Sequence, residues 1–248
     1  MSDEKAVGRR DERGIATLTL DSPHNRNALS ASLVEGLGDA LRACADDPEV
    51  RAVVLTHTGG TFSAGADLKE PPNPYAFVAL LRQLVGLPKP VVARVDGHVR
   101  AGGLGLVGAC DIAVASAGSD FAFTEVRIGV APAVISLPLL PRLEPRAASR
   151  YYLTGERFDA AEAARIGLVT EAAPGGVDQA LAPILDGLRR AAPSALAATK
   201  ELLAASVLRV FDRDEEQLVL ESARLFKSPD AREGITAFIE RRDAAWVL

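Results

Sequence analysis

Up to about Glu171 the chain alternates short strand patterns with helical ones, and beyond Pro174-Gly175-Gly176 it reads as helical throughout. That order restricts the fold more than any single motif. Strands separated by helices build an α/β core, and a closing run of helices packs against it as an appendage. Gly14–Leu20 alternates with period two and predicts a half-buried strand. Arg51–His57 and Val91–Val95 are β-branched runs that read as buried strands, and further strands are predicted at Ile112–Ala115, Phe121–Phe123 and Leu168–Glu171. A helix is predicted from Ser32 to the Asp46-Asp47-Pro48 break, with Ser32 and Glu35 spaced as a capping box and Leu33, Leu37 and Leu41 as its apolar face. Tyr75–Val85 reads as a second helix, stopped by Gly86-Leu87-Pro88. Ala147–Leu153 and Ala160–Ile166 read as short helices, and Asp178–Ala191, Ser194–Val207, Glu215–Phe226 and Asp230–Ala245 as longer ones.

With 248 residues the chain can bury a large core, and 48% hydrophobic with 25% charged residues is the usual balance of a soluble globular protein. Its apolar runs stop well short of membrane-spanning length, and Met1-Ser2-Asp3-Glu4-Lys5 lacks the apolar core of a signal peptide, so a cytoplasmic location is expected. Cys44 and Cys110 each fall inside a predicted apolar element and are expected to be buried free thiols in a reducing compartment. The net charge of −5 argues against nucleic acid as a partner, but not against a phosphate-bearing ligand, because anion sites are local. His24, His57 and His98 are scattered without ligand spacing, so no metal site is expected.

Two strand exits share one local grammar. After Arg51–His57 comes Thr58-Gly59-Gly60-Thr61-Phe62-Ser63-Ala64-Gly65-Ala66-Asp67-Leu68-Lys69-Glu70, closed by the proline break Pro71–Pro74. After Val91–Val95 comes Asp96-Gly97-His98-Val99-Arg100-Ala101-Gly102-Gly103, feeding a short predicted helix over Gly102–Ala109. Small residues at such corners let a ligand approach the main chain, so backbone N–H groups do the binding. Two corners, each offering one amide, suit an oxyanion hole for a thioester carbonyl. Gly103-x-Gly105-x-x-Gly108 also satisfies the dinucleotide-binding fingerprint in form. That reading fails on spacing, since several residues separate it from Val95 and the chain before Cys110 is too short for a crossover helix.

Phe62-Ser63-Ala64-Gly65-Ala66-Asp67-Leu68-Lys69, followed in order by Gly102-Gly103, Cys110-Asp111 and Glu125, resembles the enoyl-CoA hydratase/isomerase (crotonase) family, over nearly the whole chain from about Gly14 to Trp246. The resemblance implies a crotonase-like spiral of ββα turns with acyl-CoA site over residues 1–190, and a C-terminal helical trimerisation region over 191–248, in a homotrimer or a dimer of trimers. It makes Ala66 and Gly102 the oxyanion donors and Glu125 the acid/base. Glu125 is read as standing at the end of a short strand, beside an apolar segment that raises its pKa. It assigns Arg26 and Ala28 to the pantetheine and phosphates, Ala64, Ala66, Asp67 and Leu68 to the curl around the adenine, and Phe238 and Arg241 to a neighbouring subunit's nucleotide. Coenzyme A is then part of the substrate, and no separate cofactor is implied; neither a nucleic acid nor a membrane partner is expected.

One position departs from the pattern. The first glutamate of the usual hydratase pair falls at Gly105, leaving Glu125 alone, with the amide of Ala133 as a further group to hold a water. Gly105→Glu probes that position: a faster hydration would mean that the missing carboxylate is limiting, and a fall that Gly105 makes room for a larger acyl group. The resemblance therefore implies hydration of a 2-enoyl-CoA with a single glutamate. The alternatives are isomerisation of a 3-enoyl-CoA by the same glutamate, or acyl-CoA binding with weak or no catalysis.

Overall fold

A computed structural model describes residues 6–248; the amino-terminal segment Met1–Lys5, on which the signal-peptide reading rests, lies outside them. In chain order the described residues form β1 (Val7–Glu12), β2 (Ile15–Leu20), α1 (Ala31–Asp46), β3 (Ala52–His57), β4 (Thr61–Ser63), α2 (Pro74–Gly86), β5 (Val91–Val95), β6 (His98–Arg100) and α3 (Gly102–Ala109). There follow β7 (Ile112–Ser116), β8 (Asp120–Ala122), α4 (Ser136–Leu139), α5 (Pro145–Thr154), β9 (Phe158–Asp159), α6 (Ala160–Arg165), β10 (Glu171–Ala173), α7 (Val177–Arg190), α8 (Pro193–Phe226) and α9 (Pro229–Glu240).

The strands divide between two sheets, ordered β1-β2-β3-β5-β7-β10 and β4-β6-β8-β9. Each turn of chain lays one strand in the first sheet, one in the second, and then a helix: β3, β4, α2; β5, β6, α3; β7, β8, α4. The next turn pairs in parallel one position along in both sheets, as with Val53 against Val91 and Val92 against Ile112 in the first. Val99 against Phe121 continues the same step in the second. This is the ββα spiral. Covered strands explain the unbroken apolar runs. Val53, Leu55, Val91 and Ala93 face the main core, whereas Ala52, Val54, Val92 and Val114 face α7 through Val177 and Leu181.

Several boundaries differ from the sequence reading. Strand β1 was not anticipated; it pairs antiparallel with β2, and most of its side chains are exposed, so it carries little periodic signal. Ser30, not Ser32, caps α1, its Oγ accepting from Leu33 N at 3.3 Å. The two helices expected at Ser194–Val207 and Glu215–Phe226 are one helix of 34 residues. Packing carries it through the charged middle: Phe211 is fully buried under Arg82, whose guanidinium stands 5.9 Å over the ring and pairs with Asp212 and Glu215. Helix α9 stops at Glu240 because Arg241 turns left-handed, φ 56°, rather than running on to Ala245. The last strand is Glu171–Ala173, with Leu168 and Val169 in the preceding turn.

Helix α8 is anchored to the spiral by a buried ion pair. Lys200 Nζ lies 2.8 Å from Asp111 Oδ2 and donates to Leu84 O at 2.9 Å and Lys89 O at 3.0 Å. Asp111 Oδ2 also accepts Val91 N at 2.7 Å, so one cluster ties α8, the end of α2 and the starts of β5 and β7. Both cysteines are buried free thiols. Among the described residues no helix is long and apolar enough to cross a membrane.

Candidate active site

The first corner is held by a loop that the sequence reading used only in part. Leu29 N donates to Gly65 O at 2.8 Å and Asp67 N donates to Leu29 O at 3.1 Å, an isolated parallel bridge between Leu29 and Ala66. In that pattern the middle residue turns its N–H away from its partner strand. The Ala66 N–H accordingly has no acceptor among the described residues. Ala64 N donates to Arg26 O at 3.0 Å, so Arg26, Ala28, Ala64, Ala66, Asp67 and Leu68 form one cluster. Asn27 bolts this cluster to the core: fully buried, it accepts Ser22 N at 2.7 Å and donates to Thr58 O at 3.0 Å and Thr61 O at 2.8 Å. The sequence signal for it was the Pro-His-Asn-Arg-Asn turn, since Arg26 and Asn27 both adopt positive φ and Asn tolerates that region best. Asp67 Oδ1 accepts Lys69 N at 2.9 Å, which makes it a local turn former.

The second corner is strained. Ala101 sits at φ 46°, ψ −122°, a conformation that costs a residue bearing a Cβ about 1–3 kcal/mol. Its N–H is fixed by Ala122 O at 3.1 Å and its carbonyl by Leu104 N at 2.9 Å. Gly102 and Gly103 then open α3, whose eight residues are all buried, with the Gly102 N–H free of any acceptor among the described residues. The two corners touch: a Cβ built on Gly65 would lie 2.8 Å from Ala101 Cβ and 3.5 Å from Gly102 N. Gly65 itself has φ 91°, so only glycine meets both demands there.

Glu125 does not end a strand. It opens a 3-10 turn over Glu125–Ile128, closed by Gly129 at φ 77°. Helix α9 presses directly on that turn, for a Cβ on Gly129 would meet Asp230 O at 2.5 Å and one on Gly234 would meet Ile128 C at 2.5 Å. The carboxyl is buried, its Oε2 has no partner, and no cation pairs with it among the described residues. Burial lifts its pKa from 4.5 to about 7, against a small opposing pull from its own N–H.

The structure decides two points that the sequence reading raised around Glu125. Gly105 leaves no vacancy, because a Cβ there would lie 2.7 Å from Ile135 Cγ2 and 3.6 Å from Leu81 Cδ2; buried Ile135 already occupies the space. Gly102, Gly105 and Gly108 form a stripe along α3 against Leu29, Ile135 and Leu139, so these glycines serve close packing. The Ala133 N–H is not free, since it folds back to Ala131 O at 2.8 Å. Phe238 is exposed at the end of α9 and Arg241 forms that helix's left-handed cap, while Arg242 beside them is engaged by Glu233 at 2.6 Å and Glu240 at 2.7 Å.

A spiral of ββα turns with two adjoining glycine-lined corners, together with a buried carboxyl that has no cation partner among the described residues, is a crotonase-type architecture. The family model of enoyl-CoA hydratase/isomerase matches residues 10–247, and the chain belongs to that family. An enoyl-CoA hydratase of known structure from Mycobacterium avium is 53% identical with a TM-score of 0.92, over 98% of this chain and 100% of that one. A Thermus thermophilus protein provisionally named enoyl-CoA hydratase is 36% identical over 93% of this chain and 97% of its own length. The (E)-benzylidenesuccinyl-CoA hydratase of Thauera aromatica is 32% identical, over 94% of this chain and 95% of its own.

Proposed function

We propose that this chain is an enoyl-CoA hydratase that adds water across the 2,3 double bond of a 2-enoyl-CoA. The observation that carries the reading is Glu125: a buried carboxyl without a cation, its Oε2 unpartnered and its pKa about 7, in a chain that also carries two adjoining corners whose amides are unpaired. The thioester oxygen takes hydrogen bonds from the Ala66 and Gly102 N–H groups. Glu125, as carboxylate, removes a proton from water while the water oxygen bonds to C3. The displaced electron pair moves to the thioester oxygen as an enolate, which the two amides and the amino-terminal end of α3 stabilise. Glu125 then returns its proton to C2. Losing one such preorganised donor in comparable sites costs about 3 kcal/mol of transition-state stabilisation.

Substrate binding extends the same reading. Arg26, Ala28, Ala64, Asp67 and Leu68 hold the coenzyme A portion, Arg26 by its forked donors on phosphate. Phe238 and Arg241 serve a nucleotide on a neighbouring subunit of a trimer or a dimer of trimers. The exposed Leu202, Leu203 and Leu220 on α8 support an oligomer interface in the helices beyond residue 190.

Isomerisation of a 3-enoyl-CoA is the second reading, favoured by one observation: Ile135 fills the space at Gly105, and proton shuttling between C2 and C4 needs a single base. Absorbance of the conjugated enoyl thioester separates the two on purified protein. Hydration of a 2-enoyl-CoA removes it and isomerisation of a 3-enoyl-CoA creates it. Neither change, with coenzyme A thioesters still bound, would leave a binding protein.

A further inference from the structure

Tyr152 is oriented the wrong way round for a surface residue. Its ring borders a cleft of about 420 Å³ between the exposed Leu140 and Leu153, whereas its hydroxyl is sealed from solvent without a hydrogen-bond partner. A tyrosine at a surface ordinarily buries the ring and gives the hydroxyl to water. An inward hydroxyl left unpaired is costly and points to a polar species inside.

The other unpartnered oxygen on that side is Glu125 Oε2. The two belong to one neighbourhood. Phe123, just before Glu125, packs on the Tyr152 ring with centroids 4.4 Å apart. Burial pushes the Tyr152 phenol up, and the Glu125 charge adds to that rise. Ser136 lies beside the phenol; its Oγ donates to Pro132 O at 2.7 Å, which leaves its lone pairs free to accept. The Ala133 N–H, the one group expected to help Glu125 hold a water, is engaged by Ala131 O, and Ile135 fills the space at Gly105.

We propose that Tyr152 is the second water-holding group of the site. The inference rests on the hydratase reading. One water proton passes to Glu125 while the other is held by the otherwise unpartnered Tyr152 oxygen. The water oxygen keeps a lone pair for C3; its O–H bond breaks toward Glu125 as the C–O bond forms, and the displaced electron pair goes to the thioester oxygen. Tyr152 orients the water and exchanges no proton.

Tyr152→Phe removes only the oxygen and keeps the ring on Phe123. Two rates are measured on the full-length protein: hydration of a 2-enoyl-CoA, and exchange of the C2 hydrogen of a saturated acyl-CoA with deuterated solvent, which uses Glu125 and the two amides but no added water. The expected result is a fall in hydration kcat of about 10–100-fold, with KM and the exchange rate within about twofold and the melting temperature unchanged. Ser136→Ala gives the same selective loss by a smaller factor and serves if the first variant folds poorly. Hydration at the wild-type rate in both variants overturns the proposal and leaves the hydratase reading intact. Hydration and exchange falling together also overturns it, making Tyr152 a packing support for Glu125. A wild-type protein that exchanges but does not hydrate overturns the hydratase reading itself.

Discussion

Replacing Glu125 with glutamine separates the electrostatics of the site from its catalysis. Burial holds the carboxyl at about 7 in the folded chain against 4.5 when free. At about 1.4 kcal/mol per pH unit, that difference is worth about 3 kcal/mol. The sign follows from proton counts. Between pH 4.5 and about 7 the folded protein holds a proton that the unfolded chain has released, so wild-type stability falls as pH rises through this window. Glutamine cannot ionise and escapes that loss. Relative to wild type, Glu125→Gln should gain about 1 kcal/mol from this effect at pH 5 and about 3 kcal/mol at pH 8, on top of any pH-independent difference in packing. Urea unfolding followed by far-ultraviolet circular dichroism, at one protein concentration and both pH values, reads this directly. The same variant should lose at least about a hundredfold in turnover with little change in acyl-CoA affinity. Unfolding curves for the two proteins that stay parallel from pH 5 to pH 8 would mean that Glu125 is solvated or paired in solution, and the acid/base argument would go with it.

Gly65→Ala should lower kcat at least about tenfold and cost about 2 kcal/mol of stability, because its Cβ meets Ala101 Cβ in a left-handed backbone and drives the two corners apart; a normal rate would free the corners from any role. Gly105→Glu should lower hydration and solubility instead of raising them, since the carboxylate must displace Ile135 and lie buried. A gain in hydration rate would show that Ile135 yields. Lys200→Met should destabilise by about 3–5 kcal/mol, because Asp111 and the carbonyls of Leu84 and Lys89 lose their buried partner together. Thermal unfolding measures it, and a shift of only a degree or two would count against that cluster as the anchor of α8.

Much of the architecture could be read from local pattern. The apolar runs at β3 and β5, the Gly and Ala residues after them and the apolar face of α1 each report an environment through composition, and composition travels with the residues. What faded was whatever depended on partners remote in sequence. Strand β1 is exposed on most of its length and pairs only through its backbone, so no alternation marks it. Helix α8 looked like two because its charged middle has poor local credentials; Arg82 and Phe211, brought together from distant parts of the chain, keep it whole.

The candidate site divides along the same line. The residue types pointed to the two corners, since glycine and alanine let a ligand reach the main chain, and the family resemblance singled out Glu125 among the carboxylates. Which N–H groups stay unpaired was decided by register: the Leu29–Ala66 bridge occupies Gly65 O and Asp67 N and passes over Ala66. Whether Gly105 leaves a hole was decided by Ile135 arriving from another turn of the spiral, and which end of Tyr152 faces inward by the packing of α5. A residue's chemistry is intrinsic to it, but vacancy and direction belong to the space between elements, and that space exists only once the chain has closed on itself.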